Sequence, residues 1–118
     1  MLTRSILALM TAGLLATAPA HAQESDADKD WSTVRIGTEG AYPPFNYLDA
    51  SGELKGFDID IAKALCEAMK VECTFVTQDW DGMIPALLAN KFDLVIASMS
   101  ITDKRLKKMD FSDTYRIS

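Results

Sequence analysis

The sequence predicts an α/β lobe in which a parallel sheet is flanked by helices. Three observations lead there. Short apolar segments of strand character alternate with helical segments along the 118-residue chain, the order that builds parallel sheets with crossover helices. The apolar run Leu94-Val95-Ile96-Ala97 breaks into Ser98-Met99-Ser100-Ile101-Thr102 and then into charge, as a buried strand does when its carboxyl end opens on a crevice and a helix start. Neither an internal repeat nor a G-x-G-x-x-G or P-loop pattern occurs, which removes repeat folds and the common nucleotide cradles.

Residues 1–22 read as a secretory signal. Arg4 supplies the positive end, Ile6 to Ala16 an apolar stretch too short to span a bilayer, and Ala20-His21-Ala22 a small-x-small cleavage site after Ala22. The reading places the protein outside the cytosol, and its consequences are chemical. The only histidine, His21, leaves with the signal, so no His general base, His metal ligand or Ser-His-Asp triad is expected. Eleven basic and seventeen acidic residues remain, a balance of −6 that disfavours nucleic acid as a partner. No cofactor and no metal site are expected.

Residues 23–32 are polar and acidic without apolar periodicity and read as a disordered leader. The folded lobe is expected over 33–118, incomplete at its end. Val34 to Thr38 reads as the first strand. Glu39 to Pro44 reads as a loop, because two prolines exclude regular pairing. Phe45-Asn46-Tyr47 and Glu53 to Gly56 flank a hairpin turn at Asp49-Ala50-Ser51-Gly52. Asp58 to Met69 reads as a helix burying Ile61, Leu65, Cys66 and Met69, with Asp58 and Asp60 near its start, where the dipole favours acids. Thr74-Phe75-Val76 is the next strand. Asp81 is expected to cap a helix from Met83 to Asn90, with Pro85 tolerated in its first turn. Phe92 to Ala97 is a buried strand, and Thr102 caps a helix beginning at Asp103.

Cys66 and Cys73 lie at a helix end and the following strand start. A chain reversal between them allows a disulfide; two buried free thiols are the alternative. The oxidising compartment and the lack of a third cysteine favour the disulfide, at about 2–3 kcal/mol in the chain-entropy model.

The Ala97–Thr102 segment carries the candidate site. Hydroxyls of Ser98 and Ser100, N–H groups near Thr102 and the planar fork of Arg105 would suit a small carboxylate. Turn-forming serines and a surface ion pair at Arg105 fit the local chemistry equally well. Serine nucleophiles are disfavoured without a histidine or a Ser-x-x-Lys spacing.

The segments Gly56-Phe57-Asp58-Ile59-Asp60-Ile61-Ala62-Lys63-Ala64-Leu65-Cys66, Asp79 to Leu87, Ser98 to Arg105 and Phe111 to Tyr115 together resemble the bacterial periplasmic solute-binding proteins of the polar amino-acid type, which serve ABC importers. They resemble most the binders of lysine, arginine, ornithine and histidine, whose paired cysteines stand at the spacing of Cys66 and Cys73. The resemblance implies a two-lobed clamshell, a monomer working with an inner-membrane ABC permease. It implies that Arg105 grips the ligand carboxylate with help from Ser98 and Ser100. Tyr42 and Trp80 would sandwich the ligand side chain, and Glu39 would meet its cationic end. Two departures matter: Ala97 stands where some of these binders have another serine, and Glu39 replaces a shorter aspartate, which keeps larger ligands such as opines open. The second lobe would lie beyond Ser118. With one wall only, the site is expected to stay wet and to bind in the millimolar range by order of magnitude. Rival readings on the same scaffold are an exported cyclohexadienyl- or arogenate-type dehydratase and the sensing lobe of a membrane receptor; acid and base groups or a membrane span further along the chain would distinguish them.

Overall fold

The computed structural model describes residues 29–117. The expected signal segment, its cleavage point and residues 23–28 of the expected leader lie outside the described residues. The remaining leader positions are engaged: Lys29 pairs with Asp93, Asp30 accepts from the Ser32 N–H and hydroxyl at 2.9 Å, and Ser32 O accepts from the Glu72 N–H at 2.8 Å. Ser32 thus continues the pairing of β1 with β5 by one bond, and Lys29 ties the segment to Asp93.

The main sheet consists of β1 (Thr33–Thr38), β5 (Glu72–Thr77) and β6 (Leu94–Val95), in the order β5-β1-β6 with all pairs parallel. Between β1 and β5 the chain forms β2 (Ala41–Tyr42), β3 (Asn46–Leu48) and β4 (Leu54–Lys55), a small antiparallel sheet, and then helix α1 (Phe57–Met69). After β5 come a 3-10 turn at Trp80–Gly82 and α2 (Met83–Leu88); α3 (Asp103–Leu106) follows β6. This is one α/β lobe with a parallel sheet covered by helices, as the alternation of elements predicts.

Strand alternation divides the core into two layers. Val34, Ile36, Cys73, Phe75, Leu94 and Ile96 pack with Ala62 and Cys66 of α1 on one face. Val76, Val95 and Ala97 pack with Met83, Ala86 and Phe92 on the other. Gly37 is required on that second face, because a Cβ there would stand 2.6 Å from the Phe92 ring. Gly56, at φ 122°, is required at the start of α1, where a Cβ would stand 2.3 Å from the Phe45 carbonyl oxygen. Cys66 and Cys73 are disulfide-bonded, pinning the end of α1 to the start of β5.

Several expected details are corrected. The Glu39–Pro44 loop contains β2, which pairs Ala41 with Tyr47 and Tyr42 with Asn46 ahead of the prolines. α1 buries Asp58, Ile59, Ala62 and Cys66, while Leu65 and Met69 are about half exposed. The small side chains of Ala62 and Cys66 let the helix approach the sheet closely, and the disulfide sets its rotation. Leu65 and Met69 instead border an apolar groove with Leu94, Met99 and Met109. Asp81 does not cap α2: it lies inside the 3-10 turn, Gly82 holds the cap position, and α2 ends at Leu88 rather than Asn90. β6 is shorter than expected, covering only Leu94–Val95, and Ser98 beyond it takes a left-handed φ of 50°.

Candidate functional site

The six residues singled out from sequence sit at the carboxyl ends of the three parallel strands. β1 delivers Glu39 and, after the turn at Gly40, Tyr42; β5 delivers Trp80; β6 delivers Ser98 and Ser100 and, through α3, Arg105. Together with Ala97 they line a single open groove of about 390 Å³. The structure therefore brings all six together.

Arg105 is one of the lining residues. Its Nη1 donates to the Ser100 carbonyl oxygen at 2.7 Å, and its guanidinium carbon lies 5.4 Å from the centre of the Trp80 ring. The guanidinium is thus held in place before any ligand arrives, with further N–H groups left over. The expected Thr102 cap is present: its hydroxyl oxygen accepts from the Arg105 N–H at 3.2 Å. α3 is only four residues long, so its dipole adds little, and Arg105 is the principal charge.

Glu39 also lines the groove, half-buried, and its carboxylate has no hydrogen-bond or ion-pair partner among the described residues. Tyr42 is 44% exposed and tilts against Phe45 at 5.0 Å, while Trp80 packs partly onto the Met83–Phe92 layer. Trp80 therefore serves both core and groove, with Arg105 over one of its faces. Among the described residues no group of three or more His, Cys, Asp or Glu could hold a metal ion.

Ser98 is engaged differently from the sequence expectation. Its hydroxyl donates to Asp58 Oδ1 at 2.8 Å, and its N–H donates to the Tyr115 hydroxyl at 3.1 Å. Tyr115 in turn donates to the same Asp58 oxygen at 2.9 Å. Burial raises the Tyr115 pKa above its ordinary value, and the Asp58 carboxylate beside it adds to the shift, so the phenol keeps the proton it donates. Asp58 Oδ2 accepts from Asn46 Nδ2 at 2.8 Å, and Asn46 Oδ1 accepts from the Gly40 N–H at 2.8 Å. Asp58, Asn46 and Tyr115 were not flagged by sequence reasoning as parts of the site.

A groove of this chemistry at the strand ends of such a sheet defines the class: one lobe of a protein that binds a small solute on the periplasmic-binding-protein fold. The chain belongs to the bacterial extracellular solute-binding proteins, family 3, whose family model matches residues 34–118. It is 52% identical over 83 residues to the octopine-binding periplasmic protein of Rhizobium meliloti, covering 70% of this chain and 28% of that one. It is 54% identical over 82 residues to the L-arginine-binding protein of Pseudomonas aeruginosa, covering 70% of this chain and 32% of that one. Among solved structures, the arginine-bound form of domain 1 from TmArgBP matches with a TM-score of 0.69 at 39% identity, covering 71% of this chain and 67% of that one. The chain spans about a third of the length of these curated relatives, but two thirds of the solved single domain.

Proposed function

We propose that the chain supplies the ligand-gripping lobe of a periplasmic binding component of an ABC importer. Its ligand would be a cationic amino acid of the lysine, arginine, ornithine or histidine type, or an opine derived from one. The observation that carries the reading is that one groove is lined by a guanidinium, a carboxylate and two aromatic rings. Arg105 is held by Ser100 and Trp80, and Glu39 has no protein partner among the described residues. A ligand with a carboxylate and a cation, joined by an alkyl chain suited to aromatic faces, matches that set.

In this reading no bond is made or broken. Binding would bring a second lobe over the groove, and a permease in the inner membrane would receive the closed form. Export through cleavage after Ala22, a periplasmic location and a monomeric state belong to the same proposal. The names of the octopine and arginine binders support the ligand class. The arginine-bound single domain of a relative supports arginine as a ligand that one domain of such a protein can hold.

Calorimetric titration of the chain with arginine tests this. Saturable binding is expected at best in the millimolar range. Arg105→Ala should weaken it by at least about tenfold, or 1.4 kcal/mol, with the thermal midpoint little changed. An Arg105→Ala variant that bound arginine as tightly as the parent would remove the carboxylate anchor from the account.

A further inference from the structure

Asp58 is fully buried, and its carboxylate meets no cation among the described residues. Its partners are neutral donors from separate parts of the chain: Asn46 on β3, Ser98 after β6 and Tyr115 near the end of the described residues. A buried carboxylate is costly unless its lone pairs are filled, so it fixes the places of the groups that fill them. The chain of hydrogen bonds continues outward on both sides. Asn46 grips the N–H of Gly40, which lies between Glu39 and Tyr42. Only one orientation of the Asn46 amide satisfies both neighbours, oxygen toward the N–H and nitrogen toward the carboxylate. On the other side Asp58 and Tyr115 together hold Ser98 at its left-handed φ of 50°, next to the Ser100 carbonyl that locates Arg105. A non-glycine residue in that region costs free energy unless its surroundings determine it.

We infer that Asp58 is a positioning residue for ligand recognition: one buried carboxylate sets the loop bearing Glu39 and Tyr42 and the loop bearing Ser98 and Ser100 at a fixed separation. It touches no ligand. It sets the length of ligand that can meet Arg105 and Glu39 together, and Tyr115 carries the same tie to the last described segment. The ligand part of this inference rests on the function proposed above; the mechanical part does not.

Nuclear magnetic resonance of the chain, following amide hydrogen exchange, separates the two parts. In Asp58→Asn the carboxylate becomes an amide that presents a donor to one of its former donors. Exchange at the Gly40 and Ser98 N–H groups should rise together by about tenfold or more, while Ile36 and Gly37 in β1 stay within about threefold. Tyr115→Phe, at a half-exposed position, should release Ser98 but leave Gly40 protected. Arginine affinity should fall by about tenfold or more in Asp58→Asn, a loss near 1.4 kcal/mol by the tenfold rule. A Gly40 amide unmoved in Asp58→Asn overturns the inference. So does a uniform rise that includes β1, which would mark general destabilisation. If Asp58→Asn fails to fold, Tyr115→Phe decides: release of Ser98 alone supports the tie, and no release overturns it. If the exchange pattern holds but the parent chain does not bind arginine, the ligand reading fails and the tie stands.

Discussion

Two buried carboxylates stand at opposite ends of β6, and they are handled in opposite ways. Asp93, just before the strand, is bound by cations: Lys29, and Arg35, whose Nη2 lies 2.9 Å from Oδ1 and whose N–H donates to Oδ2 at 2.8 Å. Asp58, reached just past the strand through Ser98, has only neutral donors. The Asp93 cluster gathers the first described residues, the middle of β1 and the entry to β6, far from the groove, and it holds the fold together. The Asp58 cluster gathers both loops of the groove, and it holds the site together. A charge-neutralised carboxylate staples. A carboxylate whose partners are all neutral side chains from separate loops fixes their positions, because moving any one of them leaves an unfilled lone pair in the interior.

The Asp93 end offers the larger effect on stability. Burial pushes its carboxyl pKa up, but hydrogen bonds from Arg35 and Lys29 outweigh this and hold it well below the ordinary carboxylate range. Because the folded-state pKa is depressed, the stabilisation is complete above about pH 4 and is lost as pH falls through the folded value. Asp93→Ala should lower unfolding free energy by about 1–3 kcal/mol, towards the low end because the cations it releases regain water. It should flatten the loss of stability as pH falls below about 4 and leave arginine affinity unchanged. Urea titrations at several pH values give the check. An Asp93→Ala variant with intact stability but impaired binding would reverse the assignment of the two ends.

A smaller effect lies at Thr38, the last residue of β1. It is fully buried, and its hydroxyl is the one buried side-chain polar atom without a partner among the described residues. Thr38→Val keeps the shape and removes the unpaired group, so it should be neutral or stabilising by up to about 1 kcal/mol. Destabilisation by more than about 1 kcal/mol on thermal unfolding would mean that the hydroxyl has a function in the site.

What was legible in the sequence was mostly local. The span of α1, the Asp49–Gly52 hairpin turn, the Thr102 cap and the Cys66–Cys73 bond all follow from residues within a few positions of one another. Position at the strand ends followed from the alternation of elements, while Glu39, Tyr42 and Trp80 gained roles only through family resemblance. Asp58 read as an acid suited to a helix start. Its partners Asn46, Ser98 and Tyr115 stand 12, 40 and 57 positions away, and no local pattern announces such a convergence. The buried strip of α1 was misread for a related reason. Leu65 and Met69 carry the stronger hydrophobic signal, but close approach to the sheet selects the smaller Ala62 and Cys66. Asp81 was misassigned because a 3-10 turn shifts the start of α2 past it.

In the proposed function Arg105 reads the ligand carboxylate and Glu39 reads its cation. Arginine and citrulline have nearly the same shape and differ in whether the distal group is charged, so calorimetry with both ligands on the parent chain and on Glu39→Gln isolates that end. The parent chain should prefer arginine by at least about tenfold, and Glu39→Gln should bring the two affinities to within about threefold, mainly by weakening arginine. A preference for arginine that survived Glu39→Gln in full, or a parent chain that did not distinguish the two ligands, would contradict the account.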